Sequence, residues 1–333
     1  MKRLSIILAY VLLSFAVVVA SFSLLALTSS TAYAHGSQDS DSDYDSDSDS
    51  DNGVIEGGKS VNETRNAKPD GEVRVDNLAG SVKVRGWDKN EVRVTGTLGD
   101  LVEKLEITSD DSGISIRVIL PHHVNGGDCG ECADLEIEVP AASRLEVSTV
   151  SADIEAKDLT GSEQLGTVSG SLILDSAATR VDVRSVSGDV TVAGSAKNAH
   201  VTATSVSGTV RVTGMDGALH AESVSGDVKA GNNRLTGLEM SSTSGNLTYQ
   251  GGVLKGGDYE FHNVSGDVVL NFGASPSAHF DVSSFSGDID NSFGPRATRV
   301  SKYSPGMELH FTSGSGDAMV SARSLSGDIH INN

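Results

Sequence analysis

The chain has 333 residues, a formal net charge of −20, 37 glycines and only 5% aromatic residues. The acidic excess repels nucleic acid and anionic lipid and excludes both as partners. Scarce aromatics with abundant glycine disfavour a thick-cored globule and suit a thin, turn-rich architecture.

Residues 1–34 have the layout of a secretory signal peptide. Lys2 and Arg3 are followed by an apolar run from Leu4 to Leu27 and the small-residue ending Ala32-Tyr33-Ala34. The run is long enough to cross a bilayer if kept as an anchor. The Ala-x-Ala ending favours cleavage, and no second apolar stretch follows, so no transmembrane segment is expected after processing. The expected address is the periplasm, the cell surface or the extracellular space.

Residues 35–53 contain DSDSDYDSDSDSD between Asp39 and Asp51. Such a segment cannot bury enough apolar area to offset its ordering entropy, and it reads as a self-repelling, disordered Ser-Asp spacer. A calcium loop of the EF-hand type would need a glycine bend and a bidentate acid at fixed offsets, which the run lacks.

From Val54 onward apolar and polar residues alternate with period two, as in Glu72-Val73-Arg74-Val75 and Glu91-Val92-Arg93-Val94, which predicts strands. The single short helix candidate is Asp100–Leu105. A Ser-Gly corner then recurs at Gly170, Gly188, Gly208, Gly226, Gly245, Gly266, Gly287, Gly316 and Gly327, after a degenerate Ser151-Ala152. The spacing is roughly 19 residues per unit with two strands each, too small to close a core alone, so the units must stack. Glycine at the corner is expected to supply a backbone angle that other residues resist.

Residues 54–333 are therefore expected to form one all-β domain, a β-solenoid resembling a parallel β-helix. The residue three before each marker is small and polar, from Thr149 and Thr167 through Ser185, Ser205, Ser223, Ser242, Asn263, Ser284 and Ser313 to Ser324. By alternation this column faces inward with pairs such as Val181/Val183 and Phe280/Val282, where it can satisfy backbone groups at the bend. After the marker, Asp267, Asp288, Asp317 and Asp328 form an uninterrupted acidic run at the last four corners. A divalent cation such as calcium could bridge them, although solvated turn aspartates are the favoured explanation of the run, and no cofactor is otherwise expected.

The strand-turn-strand Gly80-Ser81-Val82-Lys83-Val84-Arg85-Gly86-Trp87-Asp88, the repeated Val-Ser-Gly-Asp corners, and the ending Ser326-Gly327-Asp328-Ile329 together resemble the bacterial putative-adhesin family of exported β-strand-repeat proteins. The resemblance covers about residues 54–333. It implies a β-solenoid in the cell envelope without a known catalytic activity.

The two cysteines, Cys129 and Cys132, lie in NGGDCGEC. In an exported protein a local disulfide is the first expectation; a zinc or copper site with the nearby His122, His123 and Asp128 is the alternative, and free or redox-active thiols the third reading. No helix follows that would make this a thioredoxin-like motif. His200, His220, His262, His279 and His310 fall at different offsets from their corners and should not line up, and no nucleophile elbow, phosphate loop or HExxH occurs, so no enzyme is expected.

Two functions remain. One is an adhesin-like, non-catalytic interaction or structural module for a protein or glycan of the envelope or cell surface. The other is an envelope-stress sensing module that binds basic peptides or cations. A polysaccharide-active β-helix enzyme stands third. The strand containing Ile329 and Ile331 has little after it to cover its edge, which predicts either capping by the segment between Gly287 and Gly316 or self-association through that edge.

Overall fold

A computed structural model describes residues 53–121, 132–274, 276–302 and 305–333. The signal, all of the spacer except Gly53, and the loop with His122, His123 and Cys129 lie outside the described residues.

The described residues carry no helix and 26 strands. The first seven are β1 (Gly53–Glu56), β2 (Ser60–Asn66), β3 (Glu72–Trp87), β4 (Glu91–Leu98), β5 (Lys104–Ser109), β6 (Gly113–Ile119) and β7 (Ala133–Pro140). They form an entry cap with antiparallel pairs β1–β5, β5–β6, β2–β4 and β4–β7. The expected helix at Asp100–Leu105 is instead a tight turn, closed by the Val102 N–H donating to Gly99 C=O, that leads into β5. Six residues are too few for a stable helix, and Leu105 and Ile107 are needed in the core.

The solenoid begins with β8 (Arg144–Leu159), which lies parallel to β3 along nearly its whole length. Both strands bend midway, so each contributes to two ladders. Six two-strand coils follow in chain order: β9 (Glu163–Thr167) and β10 (Leu172–Ser176), β11 (Arg180–Ser185) and β12 (Val190–Gly194), β13 (Ala199–Ser205) and β14 (Val210–Thr213), β15 (Asp216–Ser223) and β16 (Val228–Gly231), β17 (Arg234–Ser244) and β18 (Leu247–Gln250), and β19 (Asp258–Ser265) and β20 (Val268–Asn271). Odd-numbered strands stack in parallel as the first ladder and even-numbered strands as the second. The ladders face each other across the core, as the Tyr249 ring of β18 against Tyr259 and Phe261 of β19 shows.

Chain order then breaks. The last strands are β21 (Ala278–Ser286), β22 (Ile289–Asn291), β23 (Thr298–Arg299), β24 (Met307–Ser313), β25 (Ala318–Ser326) and β26 (Ile329–Asn332). β25 lies between β19 and β21, and β26 between β20 and β22, parallel to both neighbours in each case. The coil 318–332 is thus inserted between two coils that precede it in sequence. β24 closes the stack by pairing antiparallel to the outer edge of β21. The expectation of an open β26 edge is therefore corrected: β26 is interior, and the segment between Gly287 and Gly316 caps β21 instead.

Candidate functional site

The corner between the two ladders concentrates every repeated residue type. Eight of the nine marker glycines stack there in the order Gly170, Gly188, Gly208, Gly226, Gly245, Gly266, Gly327, Gly287, beneath Ala152 and Gly80. A Cβ on any of the eight would collide with the carbonyl of the corner residue one coil earlier in the stack. Close approach of backbone to backbone therefore explains most of these glycines. The positive φ anticipated from the sequence occurs at Gly266, Gly327 and Gly287 but at none of the first five markers. Gly316 does not belong to the corner; it sits in the turn between β24 and β25 with φ +71°.

The polar column faces inward as expected and is buried. Ser205 Oγ donates to Gly188 C=O (3.0 Å), Ser223 Oγ to Gly208 C=O (2.9 Å), Ser242 Oγ to Gly226 C=O (3.1 Å) and Ser284 Oγ to Gly327 C=O (3.2 Å). Asn263 Nδ2 spans two corners, donating to Gly245 and Gly266 carbonyls. Each side chain satisfies a carbonyl that the bend removes from the strand ladder, at about 1 kcal/mol net apiece. Ser313, expected in the column, lies instead on β24. Asn77 on β3 starts the column in its place, donating to Ala133 C=O at 3.2 Å.

The aspartates form a second, outer lacing. Asp153 accepts the Ser171 N–H (2.8 Å), Asp189 the Thr209 N–H (2.8 Å) and Asp227 the Asn246 N–H (3.0 Å). Asn246 then accepts from Asp267, Asp267 from Asp328, and Asp328 from Asp288. The Asn246 N–H, with help from Lys229, holds the Asp227 carboxyl below its ordinary value. Asp153, Asp189, Asp227, Asp267 and Asp328 thus each commit one carboxylate oxygen to the next coil.

Of the four cation candidates, Asp267, Asp328 and Asp288 occupy adjacent rungs in that order. Asp317 is not among them. It is engaged by Ser315, by Ser277 Oγ (2.9 Å) and by Lys255 Nζ (3.5 Å), and these contacts lower its pKa. Among the described residues no group of three or more His, Cys, Asp or Glu side chains is arranged to hold a metal ion. Of the other candidate set, Cys132 is buried at the start of β7, while His122, His123 and Cys129 lie outside the described residues.

The feature that sequence reading passed over is the residue just before each corner serine. Because the polar column points inward, its successor points outward. Leu78, Val150, Val168, Val186, Val206, Val224, Thr243, Val264, Leu325 and Phe285 therefore occupy successive rungs on the outside of the corner. Nine of the ten are apolar. Leu78, Val150 and Phe285 are 43%, 42% and 51% exposed, and the others are half-buried. At about 4.8 Å per rung this spine is roughly 43 Å long. The alternation argument that placed the polar column inward would have found it.

The histidines do not form one column, as anticipated, but several share the outward face of the first ladder with carboxylates. His220 lies between Glu222 (3.6 Å) and Glu239 (3.0 Å), which push its pKa up to about 9, and His310 lies 3.1 Å from Asp281.

No curated protein matches the chain. Among solved structures it is similar to a putative adhesin from Bacteroides fragilis (12% identity, 82% of this chain and 97% of that one, TM-score 0.39) and a putative cell adhesion protein from Clostridium sporogenes (10%, 82% and 99%, TM-score 0.29). A putative lipid binding protein from Parabacteroides distasonis matches at a similar distance (11%, 83% and 99%, TM-score 0.33). Likenesses this distant carry none of the functional argument. The family model described as Toastrack DUF4097 matches residues 47–251, more than half of the sequence, and the chain belongs to that family.

Proposed function

We propose that the protein is an exported, non-catalytic, adhesin-like solenoid whose corner spine is its contact surface for a protein or glycan of the envelope or cell surface. The observation that carries this reading is the outward-facing, largely apolar column from Leu78 to Phe285. The corner's glycines, its aspartate links and its bonded inner hydroxyls have partners within the stack, which accounts for them structurally. The spine has no such internal role, and an outward-facing apolar stripe on an acidic protein, exposed at Leu78, Val150 and Phe285 and broken only at Thr243, marks an interaction surface. The signal-like first 34 residues and the acidic spacer supply the route and the stand-off from the envelope.

The test replaces Val186, Val206 and Val224 together by threonine, which keeps the β-branched shape and removes the apolar methyl pattern. Retention on the cell surface is expected to fall at least about tenfold while the melting temperature stays nearly constant. Unchanged retention would sink the reading.

A second reading, a sensing module for basic peptides or cations, is favoured by the carboxylate row beside the spine at Asp153, Asp189, Asp227, Asp267, Asp328 and Asp288. It predicts altered envelope-stress transcription on deletion, whereas the adhesive reading predicts lost attachment.

A further inference from the structure

We infer that the coil 318–332 is an exchangeable rung, and that the slot it fills accepts the same coil from a second copy of this chain. The inference rests on its place out of chain order. Every coil from β9 to β18 is flanked in the stack by its neighbours in sequence. This one fills a slot whose two walls, coil 258–271 and coil 278–291, are both made earlier in the chain.

Nothing at the slot's corner distinguishes this coil from an identical one supplied by another molecule. Gly327 stacks between Gly266 and Gly287, Asp328 links Asp267 to Asp288, and Ser324 lies between Asn263 and Ser284. The glycine stacking and the aspartate link are the corner contacts that hold the ordered coils, while the Ser324 hydroxyl, unlike theirs, has no hydrogen-bond partner. When the coil leaves, β19, β20, β21 and β22 each present an unpaired parallel edge, and such edges capture another strand of matching pattern.

A single turn leads into the coil. Residues Ser313–Asp317 cross over the start of β21, with Gly314 and Gly316 at φ +62° and +71°. The turn is latched at Ser277, whose Oγ accepts the Ser315 N–H (3.0 Å) and bonds the Asp317 carboxylate, and at Asp317, whose other carboxylate oxygen is held by Lys255 and whose carbonyl accepts the Gly256 N–H (2.7 Å). A two-glycine hinge beside a polar latch is the arrangement from which local opening and exchange proceed. Molecules joined in this way are linked end to end through shared stacks, without any new surface.

The experiment uses two single-cysteine chains, Val264→Cys and Leu325→Cys, in a background with Cys129→Ser and Cys132→Ser. Val264 and Leu325 occupy adjacent rungs across the slot, so a short bismaleimide joins the two chains when one has lent its coil to the other. Chains carrying Val186→Cys and Val206→Cys, on coils that stack in chain order, are the control pair. After mixing below the melting temperature, the 264/325 heterodimer is expected to exceed the control by about tenfold, and Ser277→Ala should speed its appearance several-fold. Equal heterodimer yields for the two pairs would overturn the inference. An unchanged rate with Ser277→Ala would overturn the latch.

Discussion

The coils between Arg144 and Asn271 stack in the order they are made, whereas those between Ala278 and Asn332 do not. Both regions use the same corner: stacked glycines, an inner hydroxyl or amide, and an outer aspartate. The difference teaches that the corner specifies how any coil sits on any other but not which coil comes next. In the middle of the stack short connections decide the order. At the far end the long segment between Gly287 and Gly316 first builds the cap strand β24 and then returns the chain into the slot.

The sharpest way to break that comparison is to obstruct one corner in each region. Gly226→Val drives a side chain into the Gly208 carbonyl, and roughly 5 kcal/mol of destabilisation is expected, at the exceptional end for one substitution. Gly327→Val makes the same collision with Gly266, but the damage should be confined to residues 258–333. Hydrogen exchange read segment by segment checks this. Equal loss of protection throughout both variants would mean that the two ends are not energetically separable.

A smaller effect is expected inside the ordered region. Glu163 points into the core between Leu145 and Val181; one oxygen accepts from Ser176 Oγ at 2.9 Å and the other has no partner. Burial pushes its pKa up to about 8. The folded state then holds a proton that the unfolded chain has released, so stability falls as pH rises from about 4.5 to about 8 and levels off above. Glu163→Gln should remove this slope and gain on the order of 3 kcal/mol at pH 8, with little change at pH 4. Parallel pH–stability curves for the two proteins would contradict the assignment.

The smallest contrast separates two members of the inner column. Ser223→Ala strips the Gly208 carbonyl of its donor and should cost about 1–2 kcal/mol in denaturant unfolding. Ser324→Ala, at the inserted coil, should be close to neutral, because its buried Oγ has no hydrogen-bond partner. Equal costs would mean that the inserted coil is held at its corner as tightly as the ordered ones.

Much of this was legible in the residues alone. Alternation, the Ser-Gly spacing and the small polar residue three places earlier determined an all-β stack of two-strand coils with an inward polar column, because side-chain period and corner chemistry are local properties. The same local rule contained the spine, since whatever follows an inward Ser or Thr must face out. Three features were decided only by the tertiary structure. The corner glycines are required chiefly by a neighbouring coil's carbonyl, a contact between residues about 20 apart in sequence in the ordered coils and 40 and 61 apart at the inserted one. The four acidic corners become three adjacent rungs plus an unrelated turn at Asp317, because stack order differs from chain order. β26, which looks like an edge when read last in line, is interior. Coils with interchangeable corners carry no record of their neighbours, so their order follows from where the connecting segments can reach.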